Sequence, residues 1–148
     1  MTVLPMKMLL FVLALALPGA ALADAAVTQP VSNPDFEFGV EAIKAKDWDK
    51  AIAHFTTYAN IDPVNADAQN FLGYAYRHQK KYELAFRHYN EALRLDPSHK
   101  GAHEYIGEAY LVVGDKAKAN EHLSALERIC TKRCDEYQDL ARAIGQAK

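Results

Sequence analysis

The chain has 148 residues, with 17 basic and 19 acidic side chains and a formal net charge of −2. A mildly acidic chain has no general electrostatic attraction to nucleic acid or to anionic lipid, so we exclude nucleic acid as its partner. Hydrophobic residues make up 50% of the sequence, which is enough to bury the core of one compact domain. The partner must therefore be recognised by local features of a folded domain.

Residues 1–23 have the layout of a secretory signal peptide. Lys7 supplies a positive charge, residues 8–17 are apolar, and a small-x-small motif precedes Asp24. The apolar run is shorter than the about 20 residues that a membrane-spanning helix needs, so we expect cleavage rather than a retained membrane anchor. The mature protein is predicted to be periplasmic or secreted, away from the membrane, and to begin with an N-terminal extension at residues 24–33.

A period of 34 residues runs through the rest of the chain and relates Asp62-Pro63 to Asp96-Pro97. The same offset relates three small residues, three large hydrophobic residues and three glycines. These sets are Ala51, Ala85 and Ala119; Phe55, Tyr89 and Leu123; and Gly39, Gly73 and Gly107. Two helices approach closely only where no side chain intervenes, and the large residue fills the adjoining gap. The pattern predicts repeated helical hairpins.

Hydrophobic spacing and Pro positions predict six helices in three hairpins. Their predicted bounds are about 34–46, 48–61, 66–79, 82–95, 100–113 and 116–129. A seventh helix at about 135–147 is predicted to cap the stack, because Tyr137, Leu140, Ala141 and Ile144 share one face. The fold class is therefore all-α.

Residues 66–99 closely resemble a tetratricopeptide repeat (TPR), residues 100–133 resemble it well, and residues 32–65 resemble it more loosely. The signature positions in the middle repeat are Leu72, Gly73, Tyr76, Ala85, Tyr89, Ala92 and Pro97. This resemblance implies that residues 34–148 form a right-handed α-solenoid of three TPR hairpins plus the capping helix. It also implies a protein-interaction module, or adaptor, whose concave groove is lined by the first helix of each hairpin and receives a peptide or helix.

The resemblance assigns a set of residues to the concave groove. They are Phe36, Val40, Ile43, Asn70, Tyr74, Arg77, His78, Glu104, Glu108 and Leu111. Relatives that grip a C-terminal carboxylate use Lys and Asn at set places, which here hold Phe36, Val40, Phe71, Gly101 and Tyr105, so that binding mode is not expected. Asn70, Tyr74 and His78 share a helix face, where they either hydrogen-bond an extended peptide or form solvated surface.

The first predicted helix carries an apolar stripe of Phe36, Val40 and Ile43 besides Phe38, which is predicted to face the core. An uncovered stripe would be a binding surface or a surface for self-association. Alternatively, the extension at residues 24–33 folds back over the stripe. A self-associating structural protein therefore remains one alternative function.

Cys130 and Cys134 are the only cysteines and flank the turn between the third hairpin and the cap. In an exported protein we expect them to form a disulfide bond that holds this turn closed. The alternative is a working thiol pair that binds Cu(I) or exchanges disulfides, with Lys132 and Arg133 favouring the thiolate form. A thiol-based carrier is thus the second alternative function.

No motif in the sequence resembles an enzyme site, and we expect neither a cofactor nor a metal. There is no Gly-rich phosphate loop and no nucleophile elbow. His54, His88 and His122 recur at the 34-residue offset and are interpreted as packing and surface residues, since neighbouring helices lie about 8–10 Å apart. His99 and His103 lack a third ligand for a metal.

Overall fold

The computed structural model of the protein describes residues 33–147. The predicted signal peptide and nearly all of the predicted extension lie outside these described residues. The helices are α1 (Pro34–Lys44), α2 (Trp48–Ile61), α3 (Ala66–His78), α4 (Tyr82–Leu95), α5 (Lys100–Val112), α6 (Lys116–Cys130) and α7 (Asp135–Gln146), with a 3-10 turn at Thr131–Arg133. The prediction of an all-helical fold is confirmed, and the helix ends differ from the predicted ends by two residues or fewer. None of the helices in this part of the chain is both long and apolar enough to cross a membrane.

The turn within each hairpin has the same backbone conformation at positions 34 residues apart. Lys46, Lys80 and Gly114 have positive φ angles of 58°, 61° and 86°, and each lies two residues beyond the end of the first helix of its hairpin. The next helix begins with a side-chain cap in two of the three hairpins, where Asp47 and Asp115 accept hydrogen bonds from backbone N–H groups. Capping oxygens satisfy donors that have no partner within the helix.

Lys81 stands at the third of these capping positions, at the start of α4, and its side chain makes no capping hydrogen bond. A lysine side chain has no acceptor and cannot satisfy the free N–H groups of a helix N-terminus. The middle hairpin therefore depends on packing more than its neighbours do.

The periodic glycines lie where large side chains press against the first helix of a hairpin. A Cβ atom on Gly39 would stand 2.8 Å from the ring of Phe55, and one on Gly73 would stand 2.6 Å from the ring of Tyr89. Real Cβ contacts are longer, so any larger residue at these glycines would force the rings to move. The contacts explain the recurrence of Gly with an aromatic residue in the first two hairpins.

The third hairpin differs, because the side chain nearest to Gly107 is Leu140 of α7, and a Cβ atom there would lie 2.6 Å from it. The period indicated Leu123 for this gap, but Leu123 is partly exposed and packs in the cluster beneath the cap. Leu140 and Leu126 are fully buried at this end of the stack. Helix α7 therefore closes the core by entering the gap that a repeat residue fills elsewhere.

The prediction that Phe38 faces the core is wrong. Its side chain is 48% exposed, and its ring centroid lies 5.5 Å from that of His54. Phe36 packs instead, with ring centroids 5.5 Å from Phe55 and 5.9 Å from Phe71. Residues two apart on a helix are separated by about 200° around its axis, so only one of these rings can face α2 and α3.

Candidate functional site

A cluster of aromatic and charged side chains lies on the face formed by α3, α5 and the start of α2. We call it the groove cluster. Its members are Trp48, Tyr74, Arg77, His78, Tyr105 and Glu108. Its centre is Arg77, whose guanidinium carbon lies 5.4 Å from the ring centroid of Tyr74 and 5.8 Å from that of Tyr105. The aromatic faces attract the cation through their quadrupoles.

Arg77 is fixed by an ion pair with the next hairpin. Its Nη1 atom lies 2.8 Å from Oε2 of Glu108, and 15% of the Arg77 side chain is exposed. The guanidinium also lies beside the buried Tyr89 hydroxyl, whose pKa is raised above its usual range by burial, an effect that Arg77 opposes. Arg77 therefore connects the groove cluster to the core, and truncating it would affect folding as well as binding.

The outer edge of the cluster is a stack of three rings. Trp48 and His78 stack with centroids 4.3 Å apart and planes 10° apart, and Tyr74 lies 4.5 Å from His78. Burial lowers the pKa of His78, and the charges of Arg77 and Lys46 lower it further. The imidazole is therefore neutral at neutral pH and extends the aromatic surface.

The inner edge of the cluster is acidic. Glu104 is half-buried on α5, and burial raises its pKa to about 7, with the carboxylates of Glu108, Asp139 and Glu136 adding to the effect. Within residues 33–147, Glu104 accepts no hydrogen bond and forms no ion pair. Burial also raises the pKa of Tyr105 to about 12, so its hydroxyl remains a donor.

Asn70, one helical turn before Tyr74, is not solvated surface. It is 3% exposed, and in the described part of the chain its Oδ1 atom is buried without a hydrogen-bond partner. Its Nδ2 atom lies 3.4 Å from the position that a Cβ atom on Gly101 would take. An unpaired buried carbonyl is costly, so this acceptor is a candidate for contact with a ligand donor.

The predicted groove residues of α1 serve mainly as packing. Phe36, Val40 and Ile43 are partly buried against the core shared by the first hairpin and α3. Phe36 and Val40 also line a shallow depression on the surface of α1 together with Lys44. The apolar stripe therefore packs partly against the core. The prediction that the extension covers its other side concerns residues outside the described part of the chain.

Leu111 was predicted to line the groove, and the structure places it near the C-terminal end of α5. It is partly buried in the cluster under the cap, with Leu123, Cys130 and Tyr137. Helix α7 packs on α5, yet the C-terminal end of α5 stays open to solvent, since Val112 and Val113 are 56% and 49% exposed.

Sequence reasoning missed Trp48 and did not assign Tyr105 to binding. Tyr105 stands at one of the places compared with carboxylate-binding relatives, so its position in the groove was available from the repeat register. Trp48 belongs to the second helix of its hairpin. Because only the first helix of each hairpin was assigned to the groove, a groove residue on a second helix could not be identified from the sequence.

The sulfur atoms of Cys130 and Cys134 lie at bonding distance across the 3-10 turn, with Cα atoms 5.8 Å apart. The carboxylate of Glu136 lies within 4.8 Å of both sulfur atoms, and among the described residues these three form the only such group of potential metal ligands. Glu136 is already 3.4 Å from the Lys100 ammonium. The pair joins α6 to the start of α7.

The histidines at the 34-residue offset form hydrogen bonds within their own hairpins, each with a residue 19 positions earlier in the sequence. His54 Nδ1 lies 2.8 Å from Asp35 and His88 Nδ1 lies 2.8 Å from Gln69. In the third hairpin the partner is another histidine, and the Nδ1 atoms of His122 and His103 lie 2.9 Å apart. The pairing of His103 with His122 was not predicted.

Three antiparallel helical hairpins closed by a seventh helix, with an aromatic and charged groove, define an α-solenoid. A family profile described as tetratricopeptide repeat matches residues 36–100. Residues 36–100 therefore match the tetratricopeptide repeat family, and the helical hairpins of the described residues have the fold of that family.

Solved structures agree with this assignment. The first TPR of Spaghetti (RPAP3), bound to the HSP90 peptide SRMEEVD, is 25% identical with a TM-score of 0.67, and the alignment covers 75% of this chain and 87% of that chain. The TPR2B domain of yeast Sti1, in a complex with pHsp70, is 21% identical with a TM-score of 0.67, covering 77% and 95%. The Arabidopsis OM64 TPR domain is 17% identical with a TM-score of 0.69, covering 75% and 91%. The comparison with curated protein sequences found no match.

Proposed function

We propose that this protein is an interaction module that binds a segment of another protein in the groove lined by the groove cluster. The observation that carries the proposal is the arrangement of Tyr74 and Tyr105 around an arginine held in place by Glu108. Aromatic rings of fixed orientation bury large areas on binding at little entropic cost, and Tyr, Trp and Arg dominate binding energy at interfaces.

The similar structures support the same class of role. The first TPR of Spaghetti and the Sti1 domain are both described in complexes, the former with a short peptide. Because the fold is shared, a peptide-sized segment is the class of ligand that we propose for this groove. The ligand of this chain need not have the sequence of theirs, since the residues at the carboxylate-binding places differ.

Binding can be measured with arrays of short peptides, using the fluorescence of Trp48, the only tryptophan, to confirm each hit in solution. We expect Tyr74→Ala to abolish or strongly weaken capture, because this ring contacts Arg77, His78 and Tyr105. Arg87→Ala, an exposed change on α4, is the matched control and should bind as the wild type does. His88 is unsuitable as a control, because its ring packs inside the hairpin against α3.

Two outcomes would contradict the proposal. One is a wild-type protein that captures no peptide from a diverse array. The other is capture that Tyr74→Ala leaves unchanged while Arg87→Ala reduces it, which would place the binding surface on the second helices. Circular dichroism of each variant shows whether a loss of binding reflects a loss of fold.

We further propose that the protein is exported to the periplasm or secreted, with residues 1–23 removed and Cys130 bonded to Cys134. The signal-like layout of residues 1–23 and the position of the only two cysteines across one short turn support this. Intact mass of the exported protein should correspond to a chain that begins at Asp24 and resists alkylation without reductant. An uncleaved chain would contradict the export proposal, and free thiols that bind Cu(I) would favour the thiol carrier instead.

A further inference from the structure

We propose that the groove selects a protein segment that presents a lysine or arginine side chain to its acidic inner edge, beside Glu104 and Tyr105. This rests on the proposed function, because it assigns a chemistry to the ligand of the same groove. Three independent features of the site carry it: charge, unpaired acceptors and aromatic faces.

The charge argument concerns four carboxylates that face one another across α5 and α7. Three of them have basic partners. Glu108 pairs with Arg77 at 2.8 Å, Glu136 with Lys100 at 3.4 Å and Asp139 with Arg142 at 2.9 Å. Glu104 has no partner among residues 33–147. A cation from a ligand would complete the set, and its attraction would be strong because Glu104 is half-buried.

The second feature is a pair of hydrogen-bond acceptors on this face, Asn70 Oδ1 and the Glu104 carboxylate, beside a buried donor that also lacks a partner among residues 33–147, Arg77 Nε. Asn70 Oδ1 is buried and receives no donor in the described part of the chain, and the carboxylate of Glu104 receives none either. Lysine and arginine side chains are donors without acceptors, with three and five N–H groups respectively. A backbone N–H of the same ligand could serve Asn70 while the basic side chain serves Glu104.

The third feature is that the groove already holds one guanidinium against aromatic faces. Arg77 lies over the rings of Tyr74 and Tyr105, whose centroids are 4.9 Å apart, so both rings already take part in a cation–π contact. Arg77 itself does not repel a second cation strongly, because Glu108 neutralises its charge at 2.8 Å. The exposed sides of the rings remain available to a ligand.

The preference would be opposite to that of the similar structures. The peptide bound to the first TPR of Spaghetti ends in EEVD, and so does the HSP70 peptide bound to the second TPR domain of human RPAP3. Both segments are acidic. In this chain, the places where carboxylate-binding relatives carry basic residues hold none, and Glu104 adds a negative charge beside them.

The test uses fluorescent short peptides, randomised over uncharged residues except at the central position, which is lysine, arginine, leucine or glutamate. Binding is measured by fluorescence anisotropy at low and high salt. We expect the lysine and arginine sets to bind about tenfold more tightly than the leucine set, as one charged hydrogen bond allows, and the glutamate set to bind most weakly. The preference should shrink at high salt and should be larger above pH 7 than below it, because Glu104 ionises there.

Glu104→Gln should remove the preference for basic peptides, measured as the ratio of the dissociation constants of the leucine and lysine sets. Glu121→Gln, an exposed carboxylate on α6, makes the same charge change away from the groove and should keep the preference. Neither variant should lower the melting temperature, since Glu104 has no partner to lose.

The outcomes separate this inference from the proposed function. Equal binding of the lysine and leucine sets, with both abolished by Tyr74→Ala, would overturn the inference and leave the groove as the binding surface. Preference for basic peptides that survives Glu104→Gln would also overturn it. If the wild type bound none of the sets, the proposed function would fail as well.

Discussion

Replacing His103 by glutamine should make the protein less sensitive to acid. His103 Nε2 lies 3.0 Å from the carbonyl oxygen of Pro97, so this nitrogen carries the proton and donates it. His103 Nδ1 then accepts from Nδ1–H of His122 at 2.9 Å. If both rings were protonated, two donors would face each other, and the contact would break.

The neighbours of the pair oppose protonation. Burial lowers the pKa of His122 to about 4, and the charges of His103 and Lys118 contribute. Burial also lowers the pKa of His103, against the effect of the Pro97 carbonyl. The charged groups around His103 are His99, Arg128 and Asp96, of which only Asp96 favours the protonated form.

The sign of the pH effect follows from these directions. A histidine in the unfolded chain has a pKa near 6.5, so between about pH 6.5 and pH 4 the unfolded chain binds more protons than the folded protein. The contribution of His122 to stability is therefore fully present above about pH 6.5 and is lost as the pH falls towards 4. Between about pH 7.5 and pH 5 the loss is about 2 kcal/mol before screening, and about 1 kcal/mol once partial exposure of the ring is considered.

The second hairpin supplies the matched comparison, because Gln69 holds the place of His103 there. Its Oε1 atom lies 2.8 Å from His88 Nδ1 and accepts from that ring in either protonation state. His103→Gln copies this pair into the third hairpin, so the loss of stability in acid should shrink, although burial of His122 remains. Gln69→His should have the opposite effect, since it places two imidazoles in the second hairpin.

Urea denaturation of the wild type and both variants at about pH 7.5 and pH 5 would measure the difference in unfolding free energy for each protein. Only the change between the two pH values matters, so a general effect of either substitution on stability cancels. Equal acid sensitivity in the three proteins would refute the reasoning.

Three further predictions concern stability. Lys81→Asp should raise the unfolding free energy by about 1 kcal/mol in urea denaturation, because it supplies the cap that α4 lacks; a protein of unchanged stability would contradict this. Gly73→Ala should lower it by about 1–3 kcal/mol, since the new Cβ atom meets the buried Tyr89 ring, and a neutral result would mean that the ring can shift freely. Changing Cys130 and Cys134 to serine should lower it by about 2 kcal/mol and leave peptide capture unchanged, whereas loss of capture with full stability would favour the thiol carrier.

The hairpins could be predicted from the sequence because their contacts repeat. Each of these contacts lies within one hairpin, as between Gly39 and Phe55 or between Gly73 and Tyr89. The residues that make them therefore recur at a fixed spacing in the sequence. The hairpin turns recur in the same way. Even the departures have local causes, as where Lys81 takes the place of a capping residue.

Contacts that occur once could not be predicted in this way. Leu140 reaches Gly107 from the cap, so the period pointed to Leu123 instead. Leu111 packs partly against the cluster beneath the same cap, a contact that the period does not reveal. The choice between Phe36 and Phe38 depended on the side from which α3 approaches α1, and two aromatic residues in one helical turn do not reveal it.

The groove could be predicted from the sequence only in part. The repeat register placed Tyr74, Arg77, Glu104 and Glu108 on one face, and the structure brings them together there. Their roles depend on ion pairs between hairpins, however, and these leave the carboxylate of Glu104 without a basic partner among residues 33–147. Because Arg77 is paired with Glu108, we propose that a ligand in this groove meets the charge of Glu104. A binding preference in such a repeat protein is therefore set by which of its charges the fold leaves unpaired, rather than by the net charge of the residues that line the groove.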